Sequence, residues 1–461
     1  MQTFGKWLGR LLMLIVVGLA AGYLYLVMSP PELLRVGAGY SAKITCSAAL
    51  IAGRDPAQVL ERDVQAPGNP LLKGYALATD RAQGLVHSGF LRFIAPVDAV
   101  LRPGLGCALA PDGKDARVRD QTAPPAPGPS TSTALWPAGE GVDLSGHDAL
   151  AAILADDQLA GPGMRGIVVV QNGRIVAERY APGFDASTPQ LGWSMTKTVT
   201  AALVGTLVDS GKLQMDQDHL LPQWAADDRA KITVADLMSM SSGLHFNEDY
   251  GDVSDVTRML FLEPDMAGFV ASQALDHPPG THYSYSTGTA VLMSRIWQNA
   301  LGDTATALAW PRKALFDPLG MGSAVLETDE AGTFVGGSYL YATPRDWARF
   351  GLMLLQDGAW DGQQVLSPEF ARLMHTPSKA EPGYGQGMMW MDGPSSGFTP
   401  GADVAAGIPD DAYWMEGHDG QTVTIIPSAN AVVVRMGLTP GRLDYKPQPL
   451  VAAILKALAP S

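Results

Sequence analysis

The most informative segment of this chain reads Gly192-Trp193-Ser194-Met195-Thr196-Lys197 and continues as an uncharged, small-residue run to Val204. Ser194 stands where this run begins a predicted helix, and Lys197 lies one turn further along. Residues three apart share a helix face, so the hydroxyl and the amine can come within hydrogen-bond reach. A lysine kept from solvent has a lowered pKa, and a helix N-terminus favours an alkoxide. The segment predicts a serine nucleophile at Ser194 with Lys197 as its base.

The same short pattern also fits a serine N-cap followed by a solvated lysine. Among the lysines of the chain, only Lys197 has a serine three positions earlier. The competing G-x-S-x-G elbow is absent because position 196 is threonine. His245, His277 and His282 do not have the spacing of zinc-binding motifs, so we expect no metal and no organic cofactor.

The regions on either side of this segment indicate the fold class. Two β-rich runs, 166–170 and 175–180, flank Asn172-Gly173 and predict a hairpin. A second hairpin is predicted from runs 422–426 and 431–435. Helices are predicted over Thr196 to Asp209, Thr343 to Gln356, and about Leu450 to Leu458. The order predicts an α+β fold, in which an antiparallel sheet from both chain ends is flanked by helices and interrupted by an inserted helical region.

Residues 146–461 resemble the β-lactamase/transpeptidase-like serine hydrolases. The similarity is strongest to the class C-related branch, which includes esterases, D-amino-acid peptidases and 6-aminohexanoate-dimer hydrolases. The resemblance rests on three motifs, which are Ser194-Met195-Thr196-Lys197, Pro278-Pro279-Gly280-Thr281-His282-Tyr283-Ser284-Tyr285-Ser286-Thr287 and Gly417-His418-Asp419-Gly420-Gln421, and on supporting stretches at 232–244 and 317–321. Several such segments in the right order are more specific than any one of them.

The resemblance implies roles for individual residues. Tyr285 matches the family's catalytic tyrosine, which relays a proton to the leaving group. The backbone N–H groups of Ser194 and Gln421 match its oxyanion hole. Gly420, beside Gln421, lets a substrate approach the strand closely.

Further residues of the expected site bear on specificity. His418 and Asp419 belong to the third motif, and the aromatic Tyr250 follows a Ser-Ser-Gly turn, so we expect all three near the substrate. Penicillin-binding members of the family place a lysine where this chain has His418, and commonly an asparagine where it has Thr287. Histidine is mostly neutral at pH 7, so recognition of a substrate carboxylate is weakened unless a neighbouring acid raises its pKa.

We therefore expect hydrolysis of a small ester, amide or short peptide. A β-lactamase or a D-amino-acid or cell-wall peptidase is an alternative, and a catalytically silent envelope-binding module is an alternative of another class. Ordinary packing remains an alternative role for Tyr250, and a hydrogen-bonded strut for His418. A nucleic-acid partner is not expected, because the net charge is −14.

The first thirty residues predict attachment to a membrane. Lys6 and Arg10 precede an uncharged run from Leu11 to Met28, which as a helix would span roughly 27 Å, close to the ~30 Å of a bilayer core. We predict a signal anchor over residues 1–30, with the rest of the chain on the extracytoplasmic, periplasmic side. A cleaved signal peptide and a buried soluble helix are the alternatives.

The remaining segments predict a modular chain. Residues 31–110 form a small module in which Cys46 and Cys107, both exported, are expected to form a disulfide. Two unpaired buried thiols are the alternative. Residues 111–145 read as a Pro/Ala/Ser-rich linker, and residues 146–461 as the hydrolase domain.

Overall fold

The computed structural model describes residues 2–66, 68–113, 118–393 and 399–459. Part of the predicted linker, residues 114–117, lies outside the described residues. The α-helices, numbered in chain order, are α1 (Gln2–Met28), α2 (Glu32–Leu50), α3 (Pro56–Val59), α4 (Asp148–Ala155), α5 (Asp157–Ala160), α6 (Thr196–Asp209), α7 (Val234–Met238), α8 (Asp255–Leu262), α9 (Met266–Ala271), α10 (Thr287–Ala300), α11 (Thr304–Pro311), α12 (Pro344–Leu355), α13 (Pro368–Met374), α14 (Ala402–Ala406) and α15 (Gln448–Leu458). The strands are β1 (Tyr75–Asp80), β2 (Leu85–Phe90), β3 (Ile94–Arg102), β4 (Gly106–Ala110), β5 (Met164–Gln171), β6 (Arg174–Tyr180), β7 (Gln190–Leu191), β8 (Val325–Leu326), β9 (Leu340–Ala342), β10 (Ala359–Trp360), β11 (Gln363–Gln364), β12 (Tyr384–Gly385), β13 (Met389–Trp390), β14 (Tyr413–Gly417), β15 (Gln421–Ile426) and β16 (Ala431–Gly437).

The largest sheet joins the two ends of the hydrolase region. Within the described residues its strand order is β12-β13-β14-β15-β16-β5-β6, and every neighbouring pair is antiparallel. Val433 of β16 pairs with Val169 of β5, which fixes the register of the late hairpin against the early one. Asn172 and Gly173 turn the β5–β6 hairpin with positive φ angles, as an Asn-Gly turn requires. Both predicted hairpins are confirmed.

Helices cover both faces of this sheet. Helix α12 packs against β5, β15 and β16 on one face. On the other face, α4 and α15 pack against one another and close a second core around Trp414 and Ile454. Successive side chains of β5, β15 and β16 point to opposite faces of the sheet and pack against the helices on both sides. These strands are therefore buried along almost their whole length.

The helical region between β6 and β12 is built around α6. All residues from Thr196 to Gly205 are buried in that helix, and it packs against α10 and α13. Gly205 allows the close approach of α13, because a Cβ there would lie 2.4 Å from the ring of Phe370. The predicted helix Thr196 to Asp209 is confirmed, and the segment that leads into it places Ser194 against β14 and β15 of the large sheet.

The N-terminal elements attach to the same body. Apart from the partly buried Leu26 and Val27, helix α1 is exposed where its side chains are described. It is long and apolar enough to cross a membrane, a property shared by membrane anchors and signal sequences. Helix α2 follows after three residues and is buried from Val36 to Ala49, apart from Tyr40, against the β1-β2-β3-β4 sheet and α8. The structure contains the Cys46–Cys107 disulfide, with Cα atoms 6.1 Å apart.

Candidate active site

Ser194 lies on a tight turn that is closely packed against the surrounding elements and therefore cannot shift. The turn is a 3₁₀ segment, Trp193–Met195, that leads directly into α6. A Cβ on Gly192 would lie 2.2 Å from the Trp347 ring of α12, and one on Gly417 of β14 would lie 2.2 Å from the carbonyl oxygen of Gly192. Trp193 has a φ of 48°, a left-handed conformation that costs an ordinary residue on the order of 1–3 kcal/mol. Packing against α12 and β14 therefore holds the nucleophile in a strained, defined position.

Lys197 is the hydrogen-bonded partner of Ser194. Its Nζ donates to the Oγ of Ser194 at 2.8 Å, to the Oγ1 of Thr287 at 3.0 Å and to the carbonyl oxygen of Gly337 at 2.9 Å. The side chain is completely buried, and burial lowers the pKa of Lys197 to about 8, while the negative charge of Glu248 opposes that fall. A minor neutral fraction is therefore present near neutral pH, far more than for a solvated lysine, and a neutral amine can accept a proton.

Glu248 is a site residue that the sequence analysis did not single out. Its carboxylate accepts a hydrogen bond from the backbone N–H of Thr287 at 2.8 Å and another from the Thr287 hydroxyl, which also contacts Lys197. Burial raises the pKa of Glu248, and the nearby charge of Lys197 opposes the rise. The sequence signal was an acid two residues before Tyr250, which is weak without the fold that brings it to α10.

Tyr285 closes the same cluster from the loop before α10. The Nζ of Lys197 lies 4.7 Å from the centroid of its ring, and the ring stacks on Trp390 with centroids 5.8 Å apart. Burial, with a contribution from Glu248, raises the pKa of Tyr285 well above 10, and its hydrogen bond with Ser194 opposes that rise. The phenol therefore stays protonated at neutral pH, which suits a proton donor.

The opposite wall is aromatic. His418 stacks on Tyr250 with ring centroids 5.1 Å apart, and its edge meets Trp193 at 5.5 Å. The side chain of His418 is 43% exposed, so it is open to a substrate. Asp419 and Gly420 form the turn from β14 to β15, both with positive φ.

One cavity of about 470 Å³ brings most of the predicted residues together. The predicted residues in its lining are Ser194, Tyr250, Tyr285, His418, Asp419 and Gly420. Lys197 lies beneath Ser194. Gln421 stands at the start of β15, and its side-chain Oε1 accepts from the backbone N–H of Gly437 at 2.7 Å, so the side chain is engaged within the sheet. The arrangement offers a candidate nucleophile, a candidate base, a candidate proton donor and an open cavity whose volume is in the range of ligand pockets.

Comparison with known proteins agrees with this arrangement. The family model described as Beta-lactamase matches residues 151–452. The chain belongs to the beta-lactamase family. It is thus a serine hydrolase of the β-lactamase and penicillin-binding type, and the matched range contains all three motifs.

Individual relatives are distant. The 6-aminohexanoate-dimer hydrolase of Paenarthrobacter ureafaciens is 24% identical over 321 residues, which cover 64% of this chain and 78% of that protein. A family VIII carboxylesterase has the same fold, with a TM-score of 0.54, 15% identity, and coverage of 69% of this chain and 98% of the esterase. A penicillin-binding protein homologue from Caulobacter crescentus gives a TM-score of 0.52 at 19% identity, covering 69% and 99% of the two chains.

Proposed function

We propose that this chain is a membrane-anchored serine hydrolase that cleaves an ester or amide bond through an acyl-enzyme on Ser194. The observation that carries the proposal is the 2.8 Å hydrogen bond between the Nζ of Lys197 and the Oγ of Ser194, made by a lysine with no exposed surface. A solvated lysine would be a poor base at neutral pH, whereas burial brings its pKa to about 8.

Acylation uses the three side chains in sequence. Neutral Lys197 takes the proton of the Ser194 hydroxyl while Oγ bonds to the substrate carbonyl carbon. The N–H groups of Ser194 and Gln421 stabilise the resulting oxyanion. Protonated Tyr285 gives its proton to the departing oxygen or nitrogen, and the bond to the leaving group breaks.

Deacylation restores the starting protonation states. The Tyr285 phenolate takes a proton from water as the water oxygen attacks the acyl carbon. Ser194 leaves and recovers its proton from Lys197. Each group thus ends as it began, so the cycle needs no metal and no organic cofactor.

The wall around the nucleophile favours neutral substrates. His418 stands where penicillin-binding relatives carry lysine, and its ring is packed between Tyr250 and Trp193, with its Nε2 3.6 Å from the carboxylate of Asp419. A small ester, amide or short peptide without a required carboxylate fits this wall better than a penicillin. The names of two relatives, a 6-aminohexanoate-dimer hydrolase and a carboxylesterase, are consistent with that class.

The proposed placement is extracytoplasmic. Helix α1 would anchor the chain, and the disulfide between Cys46 and Cys107 suits an oxidising compartment. The proposed organisation is an anchor over 1–30, a module over 31–110, a linker over 111–145 and the hydrolase domain over 146–461. No nucleic-acid partner is proposed.

Covalent labelling tests the chemistry. Intact-mass spectrometry after incubation with a fluorophosphonate should show one adduct, and Ser194→Ala should abolish both the adduct and the turnover of p-nitrophenyl acetate while leaving the thermal midpoint nearly unchanged. Incubation with a penicillin in parallel distinguishes the activities, because we expect slow or no reaction there. Labelling that persists in Ser194→Ala would contradict the proposal. A folded wild-type protein that is not labelled at all would also contradict it and would favour a catalytically silent binding module.

A further inference from the structure

A second cavity, of about 410 Å³, adjoins the one that contains Ser194. Tyr250, His418 and Asp419 line both cavities, so the stacked Tyr250–His418 pair forms the partition between them. A substrate lying across this pair would have its reactive carbonyl near Ser194 and another part of the molecule in the second cavity. The two spaces therefore form one binding region with two compartments.

The second compartment is mostly apolar, and the N-terminal elements contribute nearly half of its lining residues. The apolar side chains from helix α2 and the segment 68–75 are Leu33, Val36, Tyr40, Leu71, Leu72 and Tyr75. The hydrolase region contributes the rest of the lining, which includes the aromatic Trp193 and Phe261 and the charged Asp252 and Arg442. The family match begins at residue 151, so the part of the lining that comes from α2 and 68–75 lies outside the matched range.

The rim of the compartment is close to the end of the apolar helix α1. Leu33 lines the compartment, is 39% exposed, and follows Met28 by only five residues. A chain of five residues spans at most about 18 Å, so the rim lies within that distance of the end of α1. Leu26 and Val27 are already partly buried, and α1 contacts β3, which holds this end of the helix against the body.

Exposed apolar side chains extend the rim. Leu71 lines the compartment and is 43% exposed. The tip of the β2–β3 hairpin joins the same segment, because the N–H of Leu91 donates to the carbonyl oxygen of Gly74 at 2.8 Å. Leu91 and Phe93 at this tip are 57% and 63% exposed. Clustered exposed apolar residues beside a membrane helix are typical of a surface that dips into the interfacial layer.

We propose that the substrate carries a long alkyl chain, which enters the second compartment from the membrane side while its ester or amide carbonyl reaches Ser194. This inference rests on the proposed function, and it changes the proposed substrate from small esters and amides to lipid esters and lipid amides. The chain is either the acyl part or the alcohol or amine part of the substrate, and both contain the same alkyl chemistry.

Two series of esters test this with the full-length chain in detergent. The first varies the acyl chain of p-nitrophenyl esters from acetate to palmitate, and the second varies the alcohol of alkyl acetates over the same lengths. Burial of each CH₂ should raise kcat/KM about fourfold in one series until the compartment is full. The series that responds identifies which part of the substrate holds the chain.

A compartment-filling variant provides the second measurement. Leu72→Trp should lower the ratio of kcat/KM for the long-chain ester over that for acetate at least tenfold. Leu77→Trp is the matched control, because Leu77 is also a partly buried leucine of the same module but does not line the compartment, and its ratio should match the wild type.

The outcomes separate this inference from the proposed function. Flat chain-length dependence in both series, with acetate turnover and Ser194 labelling intact, overturns the alkyl-chain inference alone. An equal fall of the ratio in Leu72→Trp and Leu77→Trp also overturns it. Loss of labelling and of all turnover in the wild type would instead contradict the proposed function. If Leu72→Trp does not fold, the two wild-type series decide.

Discussion

Two buried lysines on two helices of this molecule have similar surroundings and opposite consequences. Lys43 on α2 is 3% exposed and Lys197 on α6 is completely buried. Burial lowers the pKa of each to about 8, and a glutamate opposes the fall in both cases, Glu327 for Lys43 and Glu248 for Lys197. Each lysine also donates to a serine hydroxyl, Ser47 at 2.9 Å in the first case.

The difference lies in what else the ammonium contacts. The Nζ of Lys43 lies 2.5 Å from the carboxylate of Glu327, which also accepts from Ser47 and from the backbone N–H of Cys107. The negative charge of that carboxylate favours the protonated form of Lys43, and the Ser47 hydroxyl donates its hydrogen bond to the same carboxylate. Lys197 instead contacts three neutral oxygens, and its serine faces a cavity. A perturbed pKa alone does not identify a catalytic lysine. The two lysines are distinguished by the charge of their hydrogen-bond partners and by whether the bonded serine faces a cavity.

The largest expected effect follows from removing the base. Lys197→Met keeps the length of the side chain but cannot accept a proton, so kcat/KM for p-nitrophenyl acetate should fall by about 10⁴-fold, roughly 5.5 kcal/mol in the barrier. The thermal midpoint should change little, because the partners of Lys197 are neutral and two of them, the hydroxyls of Ser194 and Thr287, can rotate to form other hydrogen bonds. Steady-state kinetics and a thermal melt check both statements. Retained activity would contradict the role of Lys197.

The matched change in the other region should have the opposite profile. Lys43→Met leaves the Glu327 carboxylate buried without its cation, which should cost about 3–5 kcal/mol of unfolding free energy. The turnover of p-nitrophenyl acetate per folded molecule should stay near the wild-type value. Denaturant unfolding measures the loss. The second substitution Glu327→Gln should recover part of it, and a Lys43→Met protein as stable as the wild type would show that the ion pair is dispensable.

The smallest effect concerns the glutamate near Lys197. In the proposed mechanism the base is neutral Lys197, so kcat/KM should rise with pH and level off above about 8. The charge of Glu248 raises the pKa of Lys197, so Glu248→Gln removes that opposition and should move the rising limb to lower pH, by roughly one unit. Gln can still bond to Thr287.

The control for this shift is Asp444→Asn. Asp444 lines the same cavity, but its side chain is 83% exposed, so its charge is screened by solvent. Its pH profile should match that of the wild type. A limb that stays in place in Glu248→Gln would mean that Glu248 already carries a proton when Lys197 titrates, which would contradict its action as a charge.

Local patterns predicted much of the fold. The Asn172-Gly173 turn and the valine runs around it specify the first hairpin, and α6 has the bounds that its small-residue pattern predicted, Thr196 to Asp209. The burial of α2 could not be derived in this way. Glu327, which forms an ion pair with Lys43 of this helix, lies 284 residues further along the chain. A local sequence pattern cannot predict such a long-range contact.

The same division applies to the site. The S-x-x-K spacing places Ser194 and Lys197 on one helix, so their contact follows from helix geometry. Tyr285 came from a motif resemblance, and its position in the cluster depends on packing against Trp390 from a distant strand. Glu248 and the carbonyl of Gly337 were missed because both belong to loops, and only the tertiary fold places these loops near Lys197. The proposed roles and the domain boundaries remain predictions.

Because Lys43 and Glu327 are far apart in the sequence, their ion pair can form only late in the synthesis of the chain. At about 5–20 residues per second, the ribosome needs roughly 14–57 seconds to reach residue 327 after residue 43 has been made. Throughout that interval Lys43 lacks Glu327, and for the earlier part of it, until residue 262 has been made, the apolar face of α2 also lacks α8. The thiols of Cys46 and Cys107 are separated by only 61 residues, so they can meet much earlier. A crosslink formed then would keep the nascent segment compact until its partner emerges.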